Sequence, residues 1–279
     1  MTGASSGIGR AIAERLVREG WRVYAGARQA SALAELERLG CEALRLDVND
    51  GRDRTDAFAR LDDECGGLDA LVNNAGYGQQ GPLEETPLDA IRAQLETNVV
   101  SVAAMCQLAL SRMRSRGAGR IVNVSSMGGR LTFPGGASYH ASKFALEAMS
   151  DVLRFEVAGF GVRVIVIEPG PTASAFGEAA LASLDRLSPT DDGAYDAFKD
   201  GIRAALRSTF DDASAAGDPP EPVAEAVLRA LEDPEPAPRV IVGAAAKQLI
   251  ATAERGSEAE WDALVGGMYP QPGRPRAED

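Results

Sequence analysis

Tyr139 and Lys143 stand four residues apart in a stretch with helical spacing, so their side chains share one face. An ammonium held beside a phenol favours the phenolate and draws a hydroxyl that ordinarily titrates near pKa ~10 toward working pH. Such a pair can give or take a proton in a reaction. Ser126 lies thirteen residues before Tyr139, just past the apolar run GRIVNV. A hydroxyl there can hold a carbonyl oxygen next to the tyrosine. Taken alone, Tyr-x-x-x-Lys fits an amphipathic helix without chemistry equally well.

A second cluster opens the chain. Thr2 to Gly9 reads TGASSGIG, placing Gly3, Ser5, Gly7, Ile8 and Gly9 in a loop that runs into a helix near Arg10. Glycines let such a turn close and let its backbone approach a pyrophosphate seated on the free N–H groups of the helix. No Gly-Lys-Ser/Thr follows, which excludes a Walker A loop. About twenty residues further on, a free ribose 2′-hydroxyl would be met by Asp or Glu. Here Val23 to Arg28 carries no acid, and Arg28 offers charge-assisted donors to a 2′-phosphate. The pattern favours NADP(H), with NAD(H) as the other candidate.

The elements that must position these residues alternate. Helices are predicted over 11–19, 32–39, 54–64, 88–114, 138–158, 194–206 and 223–231. Strands are predicted over 21–25, 42–46, 68–72, 119–124, 162–167 and 239–242. Repeated βα units of this length imply an α/β fold, a Rossmann-type doubly wound parallel sheet. The sequence carries no strand before Thr2, so the first strand is expected to be absent or its place filled by another segment. Residues 1–269 read as one domain. The irregular stretch 171–221 reads as a substrate lid, or as an ordinary surface excursion, and 270–279 as a flexible tail.

The composition narrows the partners. Over 279 residues the net charge is −12, which opposes sequence-independent attachment to nucleic acid or anionic lipid. No apolar run approaches the roughly 20 residues that cross a bilayer. Cys41, Cys65 and Cys106 match neither a zinc pattern nor a disulfide framework, and predict free thiols in a cytoplasmic protein. The lone histidine, His140, has no ligand set around it, so no metal is called for. It is expected to face solvent or to pack at the helix start.

TGASSGIG at 2–9, Asp47-Val48, NNAG at 73–76, Asn98 in ETNVV, IVNVSS at 121–126, YHASK at 139–143 and EPG at 168–170 together resemble the short-chain dehydrogenase/reductase family. The Glu168-Pro-Gly-Pro run and the Val-Gly at 242–243 resemble its branch of steroid and retinol dehydrogenases. The resemblance implies a hydride exchanged between a nicotinamide and a carbonyl or secondary alcohol. Tyr139 would be the acid or base, and Lys143 would lower its pKa and bind ribose hydroxyls. Ser126 would orient the oxygen, and Asn98 would complete a tetrad. Asp47 and Val48 would lie near adenine, with Asn74, Ala75 and Gly76 along the cofactor. Pro169, Gly170 and either Ser174 or Thr172 would meet the nicotinamide side; register favours Ser174.

The family resemblance also implies a homodimer or homotetramer built on the long helices. Gly128, Gly129, Leu131, Phe133, Pro134, Phe176, Tyr195 and Phe198 suggest a hydrophobic carbonyl substrate, steroid- or retinoid-like among the choices. Two other readings stand beside this one: a dinucleotide-sensing regulator without turnover, and an inactive oxidoreductase lacking its first strand.

Overall fold

Short β-branched runs alternate with segments of helical period, and the chain folds accordingly. The strands are β1 Tyr24–Ala27, β2 Glu42–Arg45, β3 Ala70–Asn73, β4 Gly119–Val124, β5 Val162–Pro169 and β6 Arg239–Val242. The helices are α1 Gly7–Arg18, α2 Ala30–Arg38, α3 Gly51–Cys65, α4 Leu88–Leu95, α5 Ser101–Arg116, α6 Ala137–Val157, α7 Phe176–Asp185, α8 Asp196–Phe210, α9 Glu221–Glu232, α10 Ala244–Arg255 and α11 Glu258–Gly266. The computed structural model describes residues 1–188, 190, 193–210 and 217–273.

Every strand pair is parallel: β1 with β2, and β3-β4-β5-β6 in that order. Met1 to Ala4 run between the two sets. The Gly26 amide donates to the Met1 carbonyl at 2.9 Å, Ala4 donates to Gly26 O at 3.0 Å, and Thr2 donates to Val72 O at 3.0 Å. Four residues thus stand where the sequence reading left a strand unfilled, and they lead directly into the glycine loop. The strand order turns outward in both directions from this point, which opens a crevice at the C-terminal strand ends.

Both faces of the sheet are buried, so neighbouring residues of one strand serve opposite cores. Ile121 and Val164 face a core built with Phe58, Met105, Met113 and Leu146. Val122 and Ile165 face the other, with Ile12, Leu16, Val227 and Leu231. Each such side chain stabilises the fold by about 1.5–3 kcal/mol. Truncating Ile121, fully buried, to Ala would cost about 2–5 kcal/mol.

Three stretches of the chain differ from expectation. The helix predicted over 88–114 is interrupted by a π turn at Glu96–Val100. In the predicted lid, α7 is helical as well as α8. The residues that lead into α7, PTASAFG at 171–177, dilute the apolar period with small and turn-forming types. The helices α10 and α11 follow β6, and α11 starts with a capping box in which the Ser257 and Glu260 side chains bond each other's backbone amides. Tyr269 packs with Phe198 and Ile202 in the cluster between α7 and α8, and Pro270 lies against Gly201. The rest of the predicted tail, 274–279, and lid residues 189, 191–192 and 211–216 lie outside the described residues.

Candidate active site

Ser126 leaves β4 in extended conformation, and its Oγ accepts from the Gly128 amide at 3.0 Å. Ser126 and Tyr139, the latter in the first turn of α6, line the same cleft. Buried polar side chains fix α6 against the sheet. Asn73 donates to Asn123 Oδ1 at 2.9 Å, and Asn123 donates to Ser150 Oγ at 2.9 Å. Lys143 donates to the Val124 carbonyl at 3.0 Å. His140 is buried rather than turned to solvent. Its Nε2 accepts from Phe133 N at 3.0 Å, which leaves Nδ1 to donate to Gly128 O at 2.9 Å. The ring therefore ties α6 to the loop that follows Ser126.

Burial dominates the titration of the pair. It pushes the Tyr139 hydroxyl up to about 12, and the neighbour that draws it back is Ser126 rather than the Lys143 ammonium. Burial brings Lys143 down to about 8, against the pull of Glu147 one turn later. In this state Tyr139 holds its proton.

Asn98 sits in the π turn, a bulge often found where a helix must present one side chain. Its carboxamide accepts from Tyr77 N at 3.3 Å and donates to Tyr77 O at 3.1 Å and to Ser142 Oγ at 2.9 Å. It lies behind Gly76, where an added Cβ would stand 3.1 Å from Asn98 Oδ1 and 3.8 Å from Lys143 Nζ.

One cleft of ≈ 1080 Å³ gathers the remaining candidates. Its glycine end is lined by Gly3, Ser5, Gly7, Ile8 and Gly9, with Arg28, Asp47 and Val48 beside them. Gly3 and Gly7 have φ of 66° and 50°, a left-handed conformation that favours glycine. A side chain on Gly9 would collide with the Gly3 carbonyl. The N-terminus of α1 has no side-chain cap and no acid in its first turn, leaving its amides free for an anion. These features fit a dinucleotide pyrophosphate. Asn74 braces the loop by donating to Gly3 O at 3.0 Å, and Thr2 Oγ1 accepts from Asn74 N and Ala75 N, both at 3.0 Å. Arg28 is exposed and has no ion pair among the described residues.

Ala75, Gly76, Pro169, Gly170, Thr172 and Ser174 line the same cleft, as do Ser126, Tyr139 and Lys143. Asn98 does not reach it. Ser174 faces Gly7 at contact distance, so the register that favoured Ser174 also brings it closest to the glycine loop.

Beyond Tyr139 the lining turns apolar. Phe176 lies 5.5 Å from the Tyr139 ring and 6.0 Å from Phe210, and Phe133 and Pro134 close another side. Gly128 lines this part as expected, whereas Gly129, Leu131, Tyr195 and Phe198 do not. Phe198 is instead part of the packing between α7 and α8, with Tyr195 against it.

Glu147 and Glu168 are both buried behind the site and share Arg239, at 3.0 Å and 3.4 Å from its Nε. Arg239 also holds Asp151, and Arg130 reaches Glu168 at 3.5 Å. Burial first, then the Glu147 charge, raises Glu168 to about 7 despite the two guanidinium groups.

Residues 1–184 match the family model for short chain dehydrogenases. The chain belongs to the short-chain dehydrogenase/reductase family. Human 17-beta-hydroxysteroid dehydrogenase type 1 is 37% identical over 249 residues, spanning 85% of this chain and 74% of that protein. A solved short-chain dehydrogenase from Streptomyces avermitilis superposes with a TM-score of 0.77 at 34% identity, covering 95% of this chain and 97% of that one. A short-chain dehydrogenase from Burkholderia cenocepacia, solved with NADP, gives 0.72 at 27% identity and covers 95% of each chain. The protein is thus a short-chain oxidoreductase, dependent on a nicotinamide dinucleotide and similar to the steroid dehydrogenase branch.

The sequence reading did not single out Ser142, Tyr77, Glu147 or Arg239. Ser142 lies within YHASK and Glu147 one turn beyond, spacings that place both on α6 with the catalytic candidates. Nothing in the sequence marks Arg239 as their partner.

Proposed function

We propose that this short-chain dehydrogenase/reductase prefers NADP(H) and interconverts an apolar carbonyl compound and its secondary alcohol. The observation that carries the reading is that Ser126, Tyr139 and, one turn on, Lys143 line one cleft between the glycine loop and an aromatic pocket. Bound NADPH would supply the hydride for the carbonyl carbon. Tyr139, protonated by virtue of its burial, delivers its proton to the oxygen as negative charge develops there. Ser126 donates to the same oxygen and holds it within reach. Lys143 binds the nicotinamide-side ribose and returns a proton to Tyr139, and Asn98 keeps Tyr77 and α6 in register around it. For alcohol oxidation the same proton moves in reverse.

The 2′-phosphate preference rests on Arg28 and on the absence of an acid at Ala27, and agrees with the NADP held by the Burkholderia relative. The aromatic lining and the likeness to a hydroxysteroid dehydrogenase support a bulky apolar substrate, steroid-like ketones among them. Self-association belongs to the same proposal, since Phe144, Val152 and Phe155 form an exposed apolar stripe on α6. So does a cytoplasmic setting, which the three free cysteines support. The test is NADPH-dependent reduction across a panel of steroid and aryl ketones, with Ser126→Ala and Tyr139→Phe as controls. Reduction that persists in both variants would overturn the assignment.

A further inference from the structure

Four charged side chains line the cleft among its described residues: Arg28, Asp47, Lys143 and Arg186. The first three belong to the dinucleotide end and the proton machinery. Arg186 stands apart, at the C-terminal end of α7, on the substrate side. It has no hydrogen bond or ion pair among the described residues, in a protein whose net charge is −12, whereas Arg203 on the neighbouring α8 is held by Asp185 and Asp200.

The position of Arg186 follows from packing. Ser183 on α7 accepts from Gln80 N at 2.9 Å and donates to Ala180 O, while Phe176 presses on Gly78. Phe176 and Ser183 therefore mark the face of α7 turned to residues 77–80. Arg186, three residues past Ser183, continues that face. Its guanidinium acts on the Tyr77 hydroxyl, opposing the upward push of burial on that group. Tyr77 and Gln80 also line the cleft, and no hydrogen bond engages the Tyr77 hydroxyl or the Gln80 carboxamide among the described residues. A guanidinium, a phenol and a carboxamide thus share one side of the cleft with donors to spare, and the one carboxylate among the lining residues, Asp47, belongs to the dinucleotide end.

We infer that Arg186, with Tyr77 and Gln80, forms a subsite for an anionic terminus, so that the substrate is an amphiphile with a reactive carbonyl at one end and a carboxylate or similar oxyanion at the other. This rests on the carbonyl reductase reading and specifies its substrate class. Phe176 at the start of α7 touches Tyr139, and α7's ten residues at 1.5 Å each separate its ends by about 15 Å. The apolar body between the two ends would lie along Phe176 and Ala179. A cation at this helix end also favours the α7 dipole. The two roles separate experimentally, because a dipole contact is blind to the charge of the ligand.

The test uses medium-chain keto acids of increasing length, ketone next to the distal methyl, each paired with its methyl ester. Dissociation constants are measured by calorimetry on the full chain saturated with NADP⁺, alongside NADPH turnover. At the best length the acid should bind about tenfold more tightly than its ester, a preference that Arg186→Gln removes, Arg186→Glu reverses and Arg186→Lys partly keeps. Equal binding of acid and ester, an unchanged ratio in Arg186→Gln, or no binding of any acid would overturn the subsite. Reduction of esters and acids with equal kcat/KM would also overturn it while leaving the carbonyl reductase reading intact. Acids that bind through Arg186 but are never reduced would keep the subsite and remove that reading.

Discussion

Asn98 donates to the Ser142 hydroxyl at 2.9 Å, and Ser142 donates in turn to the carbonyl of Tyr139 at 2.6 Å. The π turn is thereby fastened to the first turn of α6. A regular helix through 96–100 would rotate Asn98 away from both Ser142 and Tyr77. Asn98→Ala is predicted to leave the Tyr77 amide without its acceptor and the buried Ser142 hydroxyl without its donor, while Tyr77 O keeps Gln94 Nε2 at 2.8 Å, at a cost of about 1–3 kcal/mol. Thermal unfolding should show that loss, and single-turnover reduction should slow more than NADP binding weakens. Turnover equal to the parent's would remove Asn98 from the proton machinery.

Tyr139→Phe is predicted to lower turnover by at least about a hundredfold, the usual contribution of a positioned acid. Its cofactor affinity should change little, because the substitution removes only the hydroxyl and keeps the ring packed against His140 and Phe176. Stopped-flow NADPH oxidation and equilibrium cofactor titration read the two quantities separately. Near-parent turnover would reassign the acid.

The cofactor preference is testable at two adjacent positions. Arg28→Ala should weaken NADP binding about tenfold and leave NAD nearly unaffected, since the lost contact is charge-assisted and specific to the 2′-phosphate. Ala27→Asp should shift preference toward NAD by adding an acceptor for a 2′-hydroxyl and a repulsion for the phosphate. Both are measured at fixed ionic strength. A parent that already prefers NAD, or equal losses for both cofactors, contradicts the assignment.

The buried carboxylate behind the site predicts a pH dependence of stability. Glu168 keeps its proton up to about 7 in the folded protein, against 4.5 as its ordinary value. The folded state therefore binds more protons across that interval. The contribution is fully present below about 4.5 and is lost as pH rises through about 7. His140, lowered by burial, acts in the opposite direction, so the comparison is between parent and variant. Thermal midpoints of the parent should fall relative to those of Glu168→Gln as pH is raised across this window. Parallel profiles would show that Glu168 titrates normally.

Much of the fold was legible because both cores demand apolar residues at fixed period. The strand over 119–124 coincides with β4, and the helix over 138–158 matches α6 to within a residue. The proposed tetrad and the glycine loop stood out because their residue types and spacings are uncommon in combination, and one cleft gathers Ser126, Tyr139 and Lys143 with the loop. The π turn was not, since Glu96–Val100 keeps ordinary helical composition and departs only in hydrogen bonding. The aromatic rings Tyr195 and Phe198 were placed near substrate because composition cannot tell which face of a lid helix is inward; Phe198 turns into the packing with α7. The His140 bridge escaped for a similar reason, as its partners are two backbone groups on a loop.

Arg239 lies on β6, beyond the stretch that carries the family's signature, yet it grips Glu147 and Asp151 on the helix that bears Tyr139 and Lys143. The C-terminal third is therefore not an interchangeable module. A chimaera that exchanged it for a relative's equivalent would have to import a guanidinium at that strand position, or redesign two acidic positions of α6 at the same time. Left uncompensated, such a graft would set a buried carboxylate loose beneath the proton donor.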